Sequence, residues 1–433
     1  MAIQALLVIL AVLLVLLFLG VPISYAIAVS SLTAILSSID LNVAVLTAAQ
    51  RTFVGMSKFS LTAIPFFILA GNIMNQGGIA KRLVDFVMAI LGKLPGALLV
   101  TNIGTNALFG AISGSASAAA AAVGSMIRDG AEEQGYDPAV TAATNAASSC
   151  SGLLIPPSNA LITYSLASGG TSVAALFMAG YIPGIIWALC CCVVGVLLAV
   201  KLGYKGTPGK FDWKNLGVCT LRALPSLSLI IVVIGGIIGG VFSATEGSAI
   251  AVVYALVLAF CYRSINLKSL WKIIVDSAKM SGMVVFLVGV SNILGWVMAF
   301  LQIPDAVAAA LLSLTSNKYV ILLIMNVILL VSGTFMDVTP AILIFTPLFL
   351  PICQSFGMST VQFGLILVYN LCIGNITPPV GNALFVGIKV GRTSLAKVMP
   401  YMLMYYVAII GGLLLVTFIP AVSTALPQAM SLM

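Results

Sequence analysis

Long stretches without a charged side chain are the feature that most restricts this chain; residues 174–200, for example, contain none. A helix of about 18 residues is ~27 Å long, which nearly crosses the ~30 Å hydrocarbon core of a bilayer. Similar apolar segments recur along the 433 residues, and charged residues make up 7% of the chain, against about 25% in soluble domains. The sequence therefore predicts an all-α polytopic membrane protein embedded in a lipid bilayer.

The composition also argues against several kinds of function. The chain has no histidine, and its eight cysteines form no C-x-x-C pair, so we expect no imidazole-based metal site or proton relay. It has no phosphate-binding motif of the type G-x-x-x-x-G-K-[ST]. The net charge of +8 comes from basic residues in short loops between apolar segments. We therefore predict that the chain is not an enzyme, binds no nucleic acid and needs no organic cofactor.

An internal repeat is visible in the positions of rare motifs. A shift of 222 residues brings Pro156-Pro157 onto Pro378-Pro379, and a shift of 223 brings Asn159 onto Asn382. The tripeptide at 113–115, Ser-Gly-Ser, meets Ser-Gly-Thr at 332–334 with a shift of 219. Several matches in the same order with nearly constant shifts indicate a duplicated unit.

The repeat predicts the organisation of the chain. We expect a first repeat at 1–202, a linker at 203–222 and a second repeat at 223–433. Short apolar segments interrupted by small residues or prolines predict re-entrant helical hairpins and broken helices, the usual location of a transporter binding site. The expected hairpins lie at about 94–128 and 318–352, and the expected broken helices at about 139–168 and 360–388.

The basic residues predict the orientation of these units. Five basic residues but only one acid, Asp212, lie between Lys201 and Arg222, which places the linker in the cytoplasm by the positive-inside rule. Counting spans outwards from the linker places both termini on the outer side. It also gives the second repeat the opposite orientation to the first, so we predict two inverted-topology repeats.

The two Pro-Pro breaks favour cation binding. Adjacent prolines remove backbone N–H donors and end a helix, so carbonyl oxygens lose their partners. Such backbone is tolerated in a membrane only where it is buried or lines a cavity. Free carbonyls beside the hydroxyls of a hairpin tip form an oxygen cage suited to Na⁺, and the repeat predicts two cages. The alternative is that the breaks only kink the helices for packing.

Several longer strings resemble the large membrane subunit of tripartite ATP-independent periplasmic (TRAP) transporters of the DctM/SiaM type. The resemblance extends over nearly the whole chain, in family order, through AIPFFILAG at 63–71, AISGS at 111–115, LLIPPS at 153–158, LFMAG at 176–180, ATEG at 244–247 and ITPPVGN at 376–382. One departure is the string Ser-Ala-Ser-Ala at 115–118, because many members carry Ser-x-Ala-Asp there.

The resemblance implies a specific function and location. It implies an elevator-type importer in the bacterial inner membrane that uses Na⁺ to import a carboxylate solute, such as a C4-dicarboxylate, sialic acid or another sugar acid. Its partners would be a small four-span membrane subunit and a soluble periplasmic receptor. Both termini would then be periplasmic. The sodium ligands implied by the family are Ser113, Ser115, Gly152, Ile155 and Pro157 at one site, and Gly333, Thr334, Gly374 and Thr377 at the other.

Residues at the hairpin tips and beside the breaks are the candidates for solute binding, since the half-helix N-termini there supply N–H donors to a carboxylate. These candidates are Ser117, Ser158, Asn159, Asp337, Asn375 and Asn382. The sequence leaves open a stand-alone Na⁺/carboxylate symporter with the same architecture. A channel is less favoured because no ring of charged residues is visible, and a membrane-embedded enzyme lacks an activated nucleophile.

Overall fold

The protein is almost entirely helical in the computed structural model, which describes residues 2–206, 211–315 and 317–433. Within these residues the chain forms 21 α-helices, one short 3-10 helix (Phe59–Thr62) and no β-strand. The helices of the first half are α1 (Ala2–Phe18), α2 (Ile23–Ile35), α3 (Leu41–Met56), α4 (Ala63–Gln76), α5 (Ile79–Leu91), α6 (Ala97–Ser113), α7 (Ala116–Glu133), α8 (Pro138–Ser149), α9 (Ser151–Leu154), α10 (Asn159–Ala167) and α11 (Val173–Leu202).

The second half contains the same succession of a hairpin, a broken helix and a long helix. Its helices are α12 (Trp213–Ile238), α13 (Ala244–Cys261), α14 (Leu267–Phe300), α15 (Ile303–Leu314), α16 (Lys318–Gly333), α17 (Val338–Ser355), α18 (Thr360–Gly374), α19 (Asn382–Val390), α20 (Leu395–Phe418) and α21 (Pro420–Ala429). Part of the predicted linker, residues 207–210, lies outside the described residues.

The described helices are long and apolar enough for a multi-span membrane protein, which confirms the predicted class. Six of them could each cross a bilayer by length and composition: α11, α12, α13, α14, α17 and α20. Helix α3 and the segment Phe59–Gln76 also pass this test together, with a bend of 59° between them. Their apolar outer faces are exposed in the isolated chain, as expected for surfaces that meet lipid.

Short turns at the tips join the two arms of each hairpin. Helix α6 ends at Ser113, and Gly114 adopts a left-handed conformation with φ +60° that turns the chain back. Ser115 then caps α7 by accepting a hydrogen bond from the Ala118 N–H at 3.3 Å. In the second hairpin α16 ends at Gly333, and Asp337 occupies the N-cap position of α17.

The two predicted helix breaks are also present. Helices α8 and α9 stop before Pro156-Pro157, and α18 stops before Pro378-Pro379; both Pro-Pro peptide bonds are cis. Helices α10 and α19 resume the two paths after the breaks. Each path therefore consists of half-helices whose ends meet inside the protein.

The apolar segments of the sequence predict neither α3 nor α5. Helix α5 buries Ile79, Leu83 and Val87 on one side and carries Lys81 on an exposed part of its surface that includes other polar residues. Helix α3 lies against α14. Charged residues interrupt both sequences, so neither contains a long apolar run. Their helical period becomes evident only when buried positions are known.

The orientation of the chain stays a prediction that labelling can test. A single reactive cysteine at Lys205, an exposed residue of the basic linker, should be blocked only by a membrane-permeant reagent, because the linker is expected in the cytoplasm. A cysteine at Ser359 should react with an impermeant reagent added outside. Background labelling of the native cysteines is measured on the unmodified chain. The opposite pattern would reverse the inferred topology.

Candidate functional site

The hairpins contact the broken helices through glycines at both symmetry-related places. A Cβ atom on Gly152 would lie 2.2 Å from the Gly110 Cα, and one on Gly374 would lie 2.4 Å from the Gly333 carbonyl carbon. Real Cβ atoms do not approach so closely, so only glycine allows these backbones to touch. The contact brings backbone carbonyls of a hairpin beside the free carbonyls of a helix break.

These contacts reveal a register that the sequence comparison did not predict. The contact partners make Gly333 the counterpart of Gly110, whereas the motif comparison matched Gly333 with Gly114. The N-caps of the two returning arms, Ser115 and Asp337, are 222 residues apart, the same shift as the Pro-Pro pairs. The contacting glycines of the two hairpins are 223 residues apart, so the motif shift of 219 is off by three to four residues at the second tip. An acid therefore stands where the first hairpin has a serine.

The first set of sodium-ligand candidates lies together around the tip of the first hairpin. Ser113 is buried, and its hydroxyl is 3.4 Å from the Ser115 carbonyl oxygen and 3.5 Å from the Gly110 carbonyl oxygen. Gly152 belongs to α9, and Ile155 follows this helix in extended conformation, directly before the Pro156-Pro157 pair. The Asn159 amide donates to the Gly114 carbonyl at 3.4 Å and so joins the tip to α10.

The second set has a similar arrangement. The Thr334 hydroxyl donates to the Val331 carbonyl at 2.8 Å, and the Thr377 hydroxyl donates to the Ile373 carbonyl at 2.7 Å. The Val380 N–H donates to the Thr334 carbonyl at 3.1 Å, which ties the tip to the break. Both sets consist of hydroxyl and carbonyl oxygens without an acid, a donor set that suits Na⁺ better than a divalent metal.

A cavity of about 160 Å³ lies between the hairpin tips and the helix breaks. Five of the six predicted solute-binding residues line it: Ser117, Asn159, Asp337, Asn375 and Asn382. The sixth, Ser158, is fully buried and is not among the lining residues. It caps α10 by accepting from the Leu161 N–H at 3.4 Å while its hydroxyl donates to the Leu153 carbonyl. Ser158 therefore has a structural contact rather than a place on the cavity wall.

Four half-helix N-termini converge on this central cavity. Its lining includes the first turns of α7, α10, α17 and α19. A helix N-terminus carries about half a positive charge and unpaired N–H groups, so it favours an anion. Because all four point their N-terminal ends at one space, the cavity favours a negatively charged group although no Lys or Arg is among its described lining residues.

Two polar features make the cavity more selective than the helix N-termini alone would. Asp337 is the one acid among the lining residues that the structure describes, and it accepts a hydrogen bond from the Asn382 amide at 3.2 Å. The side-chain oxygens of Asn159 and Asn375 are buried without a hydrogen-bond partner in the described structure. Such oxygens are costly unless a ligand, an ion or water satisfies them. They are therefore available to donors of a bound solute.

The opposite wall of the central cavity comes from α4 and α14, a contribution that the sequence analysis missed. Ile64 and Met280 line the space. Helix α4 approaches the first hairpin so closely that a Cβ on Gly71 would lie 2.7 Å from the Ser113 carbonyl oxygen. The Asn72 amide donates to the Ser277 hydroxyl at 2.8 Å and links α4 to α14. Gly71 is the last residue of the string at 63–71, one of the motifs that carry the family resemblance. That motif was the signal in the sequence that α4 contributes to the site.

Buried side-chain amides form hydrogen bonds between each hairpin and its broken helix, one to two helical turns away from the tip. The Asn106 amide donates to the Ser148 hydroxyl at 2.8 Å, and the Asn370 amide donates to the Asn326 side-chain oxygen at 2.8 Å. Both pairs are fully or almost fully buried. Buried hydrogen bonds of this kind fix a unique packing because breaking one leaves an unsatisfied polar group. These hydrogen bonds therefore hold the glycine contacts in register.

Broken helices, paired hairpins and a polar cavity inside an apolar helical bundle define an integral membrane transport protein. Residues 10–422 match the family described as the DctM component of the tripartite ATP-independent periplasmic transporters, and the chain belongs to that family. It is 50% identical over 408 residues to the uncharacterised protein YgiK of Salmonella typhimurium, covering 94% of each chain. It is 36% identical to the C4-dicarboxylate TRAP transporter large permease protein DctM of Pseudomonas aeruginosa, covering 92% of each chain.

A solved structure supports the architecture independently. The chain is similar to the crystal structure of the YdaH transporter of Alcanivorax borkumensis, with a TM-score of 0.63 over 88% of each chain. The sequence identity is 16%, so this likeness concerns the fold alone. Together with the family match it confirms the prediction of an all-helical transporter that is a large TRAP permease subunit in a multi-span inner-membrane location.

Proposed function

We propose that this permease subunit imports a carboxylate-bearing solute across the inner membrane, driven by Na⁺. The observation that carries the proposal is the central cavity, because four helix N-termini favour an anion there and an oxygen-rich glycine contact adjoins it in each repeat. The solute classes that we propose are C4-dicarboxylates, sialic acid and related sugar acids. The named function of the Pseudomonas aeruginosa relative, a C4-dicarboxylate permease, supports this choice.

We propose that each oxygen cage holds one Na⁺. In the first cage Ser113 and Ser115 would supply hydroxyl or carbonyl oxygens, while Gly152, Ile155 and Pro157 would supply carbonyls. Gly333, Thr334, Gly374 and Thr377 would do the same in the second. Because the tips that would bind Na⁺ also form the cavity wall, a bound cation would both order the wall and add positive charge beside the solute. Na⁺ and anion binding would thereby be coupled.

Transport itself would follow an elevator mechanism with two partners. The hairpins and broken helices would move as one bundle against a scaffold that includes α4 and α14. A small four-span subunit would cover exposed apolar faces of that scaffold, and a periplasmic receptor would deliver the solute. The tripartite composition of the family supports these partners. A stand-alone symporter of the same architecture is the alternative.

Hydroxyl deletion tests the sodium assignment with little disturbance of shape. Thr377→Val and Ser115→Ala each remove a hydroxyl from one cage. We expect each variant to insert normally and to raise the Na⁺ concentration for half-maximal uptake by about tenfold, because one charge-assisted ligand is worth about 1.5 kcal/mol. The measurement is uptake against Na⁺ concentration in proteoliposomes that contain all partners.

A matched control uses a hydroxyl outside the cages. Ser313 is exposed on α15 and donates only to its own helix, so Ser313→Ala should leave the Na⁺ dependence unchanged. If Thr377→Val and Ser115→Ala also keep the native Na⁺ dependence, then the ligand assignment is wrong and the helix breaks serve packing.

A further inference from the structure

A second cavity lies along the same helices as the central cavity. It has a volume of about 380 Å³ and is lined by residues of α3, α10, α14 and α17. On α14, Met280 and Val284 line the central cavity, while Val288 and Gly295 line the second one. These positions recur every four or seven residues, so they share one face of the helix. The two cavities are therefore neighbours along α14.

The other two helices show the same order. On α17, Thr339 lines the central cavity and Leu343 and Pro347 line the second. On α10, Thr163 lines the central cavity and Ala167 lines the second. A stretch from Val284 to Gly295 extends about 16 Å along the helix axis. In the orientation predicted from the basic residues, this part of α14 extends from the central cavity towards the outer face of the membrane. The second cavity is called the outer cavity below.

The outer cavity holds one basic side chain, that of Arg51. Helix α3 is fixed against α14 because a Cβ on Gly55 would lie 2.5 Å from the Asn292 amide nitrogen and 3.0 Å from the Gly289 Cα. Arg51 lies one turn before Gly55 on α3 and lines the cavity, as Trp296 of α14 does. Close packing of the two helices therefore positions the guanidinium at the cavity wall.

The guanidinium is the free binding group of this cavity. Arg51 is exposed and has no ion-pair or hydrogen-bond partner among the residues that the structure describes, and no acid is among the lining residues. The neighbouring Ser291 hydroxyl and Asn292 amide instead donate to carbonyls of their own helix, at 2.7 and 2.8 Å. A free guanidinium offers five N–H donors in a planar fork that matches a carboxylate.

We infer that the outer cavity is an anion-receiving subsite, in which Arg51 binds the carboxylate of a solute on its way from the outer side to the central cavity. This inference rests on the proposed function for the direction of transport. The two cavities have complementary properties, since the outer one offers a full positive charge and the central one offers helix N-termini beside Asp337. A carboxylate can leave an exposed guanidinium for the more enclosed cavity.

Charged thiol reagents test the inference without any transport measurement. Gly295→Cys is the probe, because a Cβ on Gly295 meets no atom within 4 Å and the residue lines the outer cavity. The exposed native thiol is removed by Cys261→Ser. The two reagents are sulfonatoethyl and trimethylammonioethyl methanethiosulfonate, added from outside. Their rate ratio reports the electrostatic potential at the probe.

Arg51→Gln should lower the ratio of anionic to cationic labelling about fivefold, as expected when a unit charge is removed at ~7–8 Å in a watery cavity. Lys58→Gln is the matched control, because Lys58 is an exposed base seven residues away that does not line the cavity. It should leave the ratio within about twofold of its original value. An unchanged ratio in Arg51→Gln, or an equal fall in Lys58→Gln, would overturn the inference.

Uptake in the complete system separates this inference from the proposed function. Arg51→Gln should raise the solute concentration for half-maximal uptake about tenfold, with an unchanged Na⁺ concentration for half-maximal uptake. If the variant instead raises only the receptor concentration required, Arg51 is a docking residue and the subsite is disproved. If the native system shows no Na⁺-driven uptake, the proposed function is wrong. The labelling ratio still tests the subsite in that case, because it does not depend on transport.

Discussion

Gly374→Ala should abolish Na⁺-driven uptake. The added Cβ would lie 2.4 Å from the Gly333 carbonyl carbon and 2.5 Å from its oxygen. The hairpin and the break must therefore separate, and the carbonyls proposed to share a cation move apart with them. A displacement of about 1 Å in a preorganised site costs on the order of 100-fold in function. We expect a loss of this size in the initial rate of uptake.

The matched control is another helical glycine. Gly411 lies within α20, and a Cβ there meets no atom within 4 Å, so Gly411→Ala should retain uptake. Gly152→Ala tests the first repeat in the same way, with its Cβ 2.2 Å from Gly110. Detergent-solubilised yield and thermal stability are measured for every variant. Well-folded Gly374→Ala protein that transports at the native rate would refute a functional contact at this place.

The chain reconstituted alone should give no uptake at micromolar solute under an inward Na⁺ gradient. Large apolar side chains of α1 and α3 are exposed, including Leu7 at 60% and Phe53 at 70%, so the chain presents surfaces that a membrane partner or lipid must cover. Adding the small four-span subunit should stabilise the chain without starting transport. Adding the loaded receptor as well should raise uptake at least tenfold above background.

The controls for this reconstitution are the receptor without solute and a receptor from an unrelated transporter, neither of which should support uptake. The measurement is accumulation of radiolabelled solute over the first minute. Strong Na⁺-driven uptake by the lone chain would contradict the tripartite requirement and favour the stand-alone symporter.

The features predicted from the sequence were those with a local chemical cause. The Pro-Pro breaks follow from missing N–H donors, and the hairpin tip at Gly114 follows from a small, turn-forming residue between apolar arms. Both motifs occur twice, so the repeat supported each of them. The solute-binding candidates other than Ser158 lie on one cavity because each is next to a hairpin tip or a helix break.

The features that sequence reasoning missed depend on packing between distant segments. The glycine register differs from the motif register by four residues, an offset that is invisible in the sequence until Gly110 and Gly152 are seen in contact. The wall contributed by Met280 depends on the approach of α14. The place of Arg51 in a cavity follows from the packing of α3 on α14 at Gly55, which the sequence does not show.

The sodium sites remain the part of the proposal on which the rest depends. If two Na⁺ ions enter with each solute, uptake should respond to membrane potential whenever the cation charge exceeds the solute charge. One net charge moving inwards gains about 2.3 kcal/mol per 100 mV. A Na⁺ requirement also distinguishes this mechanism from proton coupling.

The most direct test of Na⁺ coupling is the rate of uptake by the complete three-part system as external Na⁺ is varied at fixed pH and ionic strength, with choline as the replacement cation. Two sites, one in each repeat, predict a sigmoidal dependence with a Hill coefficient near 2, at most the number of sites, and no uptake in choline alone. Uptake that continues unchanged in choline would contradict Na⁺ coupling and with it the function proposed for both oxygen cages.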